Sequence, residues 1–112
     1  MNQAAIEAII EQYLKHGWTF RRVLLTASTS ELIQPGKLQP FGSSEPVPSD
    51  LDAIWFSRVS QPGKETWELR SLRTPYAIDA FLEDQMSEHE REELLRNTED
   101  RMRQAAPHRY NN

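Results

Sequence analysis

LDAIWFSRV at 51–59, PG at 62–63 and ETWELRSL at 65–72 decide how this chain is read. Both longer runs are rich in aromatic and β-branched residues, which suit a pleated surface. Proline presets the first central position of a type II turn, and glycine accepts the positive φ of the second. The spacing therefore predicts a hairpin of strands 51–59 and 65–72 closed by Pro62-Gly63. The second strand alternates: Trp67, Leu69 and Ser71 on one side, Glu68, Arg70 and Leu72 on the other. The first is apolar on both sides, with Ile54 and Phe56 opposed to Trp55 and Ser57.

Upstream, residues 18–27 read as a third strand with the same ambiguity. Thr19, Arg21, Val23 and Leu25 share one side, and Trp18, Phe20, Arg22 and Leu24 the other. A helix precedes it. Ile6, Ile9, Ile10, Tyr13 and Leu14 fall on one face at three- and four-residue steps. Asn2 suits its N-cap, Lys15 and His16 its negative end, and Gly17 its stop. Residues 28–50 hold Pro35, Pro40, Pro46 and Pro48 among serines and glycines and read as a long loop. Leu32, Ile33, Leu38 and Phe41 are expected to pin its first half, and Glu45-Pro46-Val47-Pro48 to run extended in solvent.

Downstream, Thr74-Pro75 reads as a helix start, with Ile78, Phe81, Leu82 and Gln85 facing inward. Ser87-Glu88-His89-Glu90 is a capping box that opens a last helix running to about residue 106, before Pro107. Its apolar seam is thin: Leu94, Leu95 and Met102. The predicted fold class is α+β, a two-layer sandwich. It has a three-stranded antiparallel sheet with helices packed on one face, in the order α-β-(long loop)-β-β-α-α. The expected single domain covers 1–106, with 107–112 frayed.

The chain has 112 residues, no cysteine and a formal net charge of −4. Thiolate nucleophiles, disulfides and cysteine zinc sites are excluded. No apolar run can span a bilayer, so no membrane partner is expected. The start of the chain lacks the basic and apolar blocks of a signal peptide, and a cytoplasmic location is expected. The acidic balance disfavours nucleic acid as a partner, because phosphate binding needs a basic surface.

The residue types that carry chemistry are scattered. His89 and Glu93, one turn apart, could share a cation, but zinc wants three or four protein ligands, and a solvated face explains them better. His16 reads as an end-cap, and His108 lies in the tail. The serines lack a nucleophile elbow, and Gly36-Lys37 and Gly63-Lys64 lack the rest of a phosphate loop. Asp79, Glu83 and Asp84 could do acid–base work only if the fold separated their pKa values, and an exposed face suits their spacing better. No catalytic residue, metal ligand or cofactor is named, and the reading leans away from an enzyme.

The second side of the predicted sheet carries the functional expectation. If the helices cover Val23, Ile54, Phe56, Trp67 and Leu69, then Trp18, Phe20, Arg22, Trp55 and Arg70 lie on or beside the open face. Aromatic residues and arginine anchor protein interfaces. The sequence is therefore read as a non-enzymatic protein-interaction module, binding a protein partner or self-associating as a homodimer. Cover by the long loop ranks second. The alternative function is a small-ligand or single-stranded nucleic-acid platform, with the aromatic rings stacking on flat groups.

Overall fold

Residues 2–33 and 45–110 are described by the computed structural model, with side chains through residue 105. The elements are α1 (Gln3–Lys15), β1 (Thr19–Leu25), α2 (Ala27–Leu32), β2 (Val47–Pro48), β3 (Ala53–Gln61), β4 (Lys64–Ser71), β5 (Ala77–Glu83) and α3 (Glu88–Tyr110). Several local signals act as expected. Asn2 Oδ1 accepts from the Ala5 N–H at 2.8 Å, and Gly17 takes φ 87° after the helix. Gly63 takes φ 76° in the hairpin turn. Ser87 Oγ accepts from the Glu90 N–H at 3.1 Å while Glu90 Oε1 accepts from the Ser87 N–H at 3.0 Å, so both arms of the capping box form.

The sheet departs from the expected one. It has five strands in the order β2-β1-β3-β4-β5. Neighbours pair antiparallel except β1 and β2, which run parallel with Leu24 beside Val47 and Leu25 beside Pro48. The three-stranded antiparallel sheet is thus replaced by a five-stranded mixed one, and two of its strands arise where none was expected.

The first is β5, in the segment read as a helix. Ile78 and Leu82 satisfy a helical and a strand period equally. Ala80 and Phe81 decide between them: Ala80 is 4% exposed and Phe81 66%. The inward row is Ile78, Ala80 and Leu82, a period of two, and seven residues of β5 pair with β4 from Lys64↔Glu83 to Arg70↔Ala77. The second is β2, two residues at the end of the segment read as loop. That segment also contains most of α2, which begins at Ala27, within the expected first strand. Thr26 caps it, its hydroxyl accepting from the Thr29 N–H at 3.3 Å. Six residues with one buried side chain leave no helical stripe to read. The expected anchors Leu38 and Phe41 lie outside the described residues. The last helix continues to Tyr110, beyond the expected limit at 106.

Helices cover both faces of the sheet, not one. On one face α1 brings Ile6 and Ile10 against Val23, Leu25, Ile54, Phe56 and Leu72. On the other, α3 sets Leu95 and Met102 over Leu24, Ala53, Trp55, Trp67, Leu69, Ile78, Ala80 and Leu82. The two-sided apolar character of the first strands has this origin: β1 and β3 are central strands buried on both faces. A bulge completes the account. The register shifts between Phe20 and Arg22, so Phe20 lies opposite Phe56 while Arg22 lies opposite Trp55. The extra residue, Arg21, sends its guanidinium to Ser57 Oγ at 2.7 Å and over the Trp67 ring at 5.2 Å. Both arginines therefore serve the α3 face, and Phe20 joins the α1 core with Val23.

Candidate functional site

Helix α1 packs over β1 and β3 and leaves the outward row of β4 and β5 uncovered. This row carries Thr66, Glu68 and Arg70 on β4, and Ala77, Asp79, Phe81 and Glu83 on β5; Thr66, opposite Phe81, is buried, and Glu68, Arg70 and Glu83 are half-exposed. Where the end of α1 overhangs β4, a cleft of about 290 Å³ is lined by Gln12, Tyr13, His16, Trp18 and Glu68. Tyr13 forms its wall. The Tyr13 ring stacks on Phe56, with centroids 4.0 Å apart and planes 7° from parallel. Trp18 meets Tyr13 edge-on at 5.8 Å and carries the Arg58 guanidinium over its ring at 4.6 Å. The Tyr13 hydroxyl donates to Glu68 Oε2.

Glu68 lies directly across from Asp79 on β5. Like charges in this position repel. Burial raises the Glu68 pKa, the hydrogen bond to Asp79 and the Asp79 charge raise it further, and Tyr13 and Arg58 only partly offset this. Burial also drives the Tyr13 phenol well above its ordinary range, with the Glu68 bond adding to it. The arrangement favours a cation or a shared proton between the two carboxylates. His16 takes no part in it: its Nδ1 lies 2.8 Å from the Gln12 carbonyl of its own helix.

A second polar cluster lies at the opposite end of the strands. Asp52, 2% exposed, accepts from the Thr26 N–H at 2.9 Å, the Thr26 hydroxyl at 3.1 Å and Arg73 Nε at 2.8 Å. Burial would raise its pKa, but the Thr26 amide, Arg73 and the threonine hydroxyls together hold it below the usual carboxylate value. These bonds tie the start of α2 and the loop after β4 to the start of β3. This is a structural joint, its charge matched on the spot.

The residues expected to share one open face are divided between the two. Trp18, Phe20 and Arg70 belong to the α1 side, and Trp18 and Phe20 pack at the margin of its core. Arg70 reaches along its strand to the Thr74 carbonyl at 2.7 Å. Arg22 and Trp55 belong to the α3 side. Trp55 is fully buried and donates Nε1 to Glu99 Oε2 at 2.9 Å, and Arg22 pairs with Glu92 at 3.3 Å. His89 and Glu93 face each other at 3.6 Å in solvent. Among the described residues, no group of three or more His, Cys, Asp or Glu side chains is placed to hold a metal ion. No described helix is long and apolar enough to cross a membrane.

Tyr13, Glu68, Asp79 and Phe81 are the residues that the sequence did not single out in these roles. Tyr13 reads as core stripe and Phe81 as an inward helical residue. Glu68 and Asp79 meet only through the β4–β5 pairing, which the helical reading of β5 conceals. Comparison with protein-family models, curated sequences and solved structures gave no significant match.

Proposed function

We propose that the protein is a non-enzymatic interaction module whose docking surface is the uncovered β4–β5 side of the sheet. Exposure of Phe81 carries this reading. A phenylalanine 66% exposed in the middle of a regular strand contributes little to folding, whereas aromatic residues on an open surface are typical interface anchors. Trp18 and Arg70 flank the same side and supply the aromatic and arginine character expected of an interface. Trp55 and Arg22 serve the α3 core instead. The partner is another protein or a second copy of the chain.

The test compares wild type, Phe81→Glu and Val59→Glu as baits for partner capture, with solution mass measured across a concentration series. Val59 is a matched control, 70% exposed near the hairpin turn. A partner or dimer lost with Phe81→Glu and kept with Val59→Glu supports the proposal. Indifference to Phe81 contradicts it.

A second reading rests on the Glu68–Asp79 pair. The cleft beside Tyr13 and Trp18 suits a small flat cation, held by the carboxylates and stacked on the indole. Titration with an aromatic amine, followed by tryptophan fluorescence, tests it: quenching that vanishes with Glu68→Gln supports this reading, and an unchanged signal removes it.

A further inference from the structure

We infer that β5 accepts a sixth strand from a basic, extended segment of a partner protein. The inference rests on the reading of the protein as an interaction module and specifies the partner's chemistry.

The two edges of the sheet differ. One is β2, two residues long and ending in Pro48, which has no N–H to offer. Short strands and prolines are common protection against unwanted pairing. The other is β5, seven residues without proline or lysine, paired with β4 along its length with no register shift. Among the described residues, no strand occupies its outer side, although its last carbonyl, that of Glu83, already accepts from the Arg91 guanidinium and the Met86 N–H, each at 3.1 Å, so pairing is left to residues 77–82. The inner row of β5 is fixed beneath α3, so the edge is held straight and ready for main-chain pairing.

Charge selects the occupant. The outward row of β5 carries Asp79 and Glu83 around Phe81, and Asp84 follows in the turn. Glu68 stands beside Asp79 on β4 and already repels it. Lys64 and Arg70 lie at the two ends of this patch, opposite Glu83 and Ala77, and leave its middle acidic. A second copy paired antiparallel about Ala80 would bring two Asp79 side chains to about 7 Å of each other, next to the two Glu68 carboxylates. A strand with lysine or arginine opposite Asp79 and Glu83, and an apolar residue opposite Phe81, relieves the repulsion and covers the ring. Main-chain bonds would supply affinity and alternate side chains specificity, as in other strand additions.

The experiment titrates ¹⁵N-labelled protein with a capped heptapeptide alternating valine and lysine, and separately with its valine–glutamate counterpart. The expected result is shifts concentrated on the amides of Ala77–Glu83 with the lysine peptide. Its binding should be at least about tenfold tighter than that of the glutamate peptide at low salt, and should weaken as salt screens the charges. An Asp79→Lys, Glu83→Lys double variant should reverse the preference; Asp79 is exposed and Glu83 half-exposed, and the variant's own amide spectrum reports whether it folds. Salt dependence in the wild type gives an independent reading of charge. No shift up to millimolar peptide, equal response to both peptides, or shifts confined to the Tyr13–Trp18 cleft would overturn the inference. If capture or dimerisation still depends on Phe81 in that case, the interaction module stands with a different occupant. If it does not, both readings fall.

Discussion

Asp52, buried, and Glu68, half-buried, are carboxylates with opposite consequences for stability. Asp52 has its pKa lowered by bonds that offset its burial. Its contribution is therefore present at neutral pH, begins to fade near the unfolded value of 3.8, and is lost as pH falls through the lowered folded value. Asp52→Ala is predicted to cost about 2–4 kcal/mol, because it strands the Thr26 amide and removes the carboxylate that accepts from the Thr26 hydroxyl and Arg73 Nε. Urea denaturation at pH 7 checks this, and the Asp52→Asn variant should show a shallower loss of stability in acid. Glu68 has its pKa raised, so the folded state holds its proton more tightly and stability falls as pH rises from 4.5 through the raised value. Glu68→Gln should therefore stabilise the protein at pH 7 by up to about 1 kcal/mol, with the gain vanishing near pH 4. Destabilisation at pH 7 would show that the charge is needed for folding. Trp55→Arg belongs to a different class. It would place a guanidinium where side-chain exposure is zero, and is expected to unfold the chain at a cost above about 4 kcal/mol, visible as loss of the circular dichroism of the native state.

At the scale of elements, the sequence was legible at most of its local devices; the exception is Thr74-Pro75, read as a helix start, which instead forms the bend that leads into β5. Asn2, Gly17, Pro62-Gly63 and the Ser87–Glu90 box each satisfy backbone groups within a few residues of themselves, and each works in the fold as the pattern implies. Ser87→Ala is predicted to cost about 1 kcal/mol of thermal or urea stability, since it removes the acceptor of the Glu90 N–H. Elements that exist through distant pairing were not legible. β2 is two residues held by β1, and α2 is a short turn anchored to Asp52. β5 had to be separated from a helix by the burial of Ala80 against Phe81, a difference only the neighbouring β4 creates. The bulge at Arg21 hid the sidedness of β1, because it shifts the alternation by one residue in the middle of the strand. The expected aromatic–arginine face dissolved partly for this reason and partly because the β3–β4 register sets Trp55 opposite Leu69 and Ile54 opposite Arg70, which puts Trp55 and Arg70 on different faces. The Glu68–Asp79 pair stayed invisible because it spans two strands.

Across the whole molecule, the arrangement is a five-stranded sheet clad on both faces but unevenly. α3 covers β4 and β5 on its side, while α1 reaches only β1, β3 and the border of β4 on the other. The quarter that no described helix covers brings together an exposed phenylalanine, two carboxylates that repel, an aromatic cleft and a strand edge closed only at its Glu83 end. The cleft is lined by residues that also pack on the α1 core, whereas Phe81, the carboxylate pair and the strand edge do little for folding and are what a binding partner would use directly. Phe81→Glu is accordingly expected to change stability by less than about 0.5 kcal/mol, as for other exposed sites. The most direct measurement replaces Phe81, and in a parallel chain Val59, with a photoreactive phenylalanine analogue and irradiates each protein in its native cells. The account predicts a discrete adduct from position 81, with a basic segment of the partner at the crosslink, and none from position 59. No adduct from position 81, or the same adducts from both positions, would contradict it.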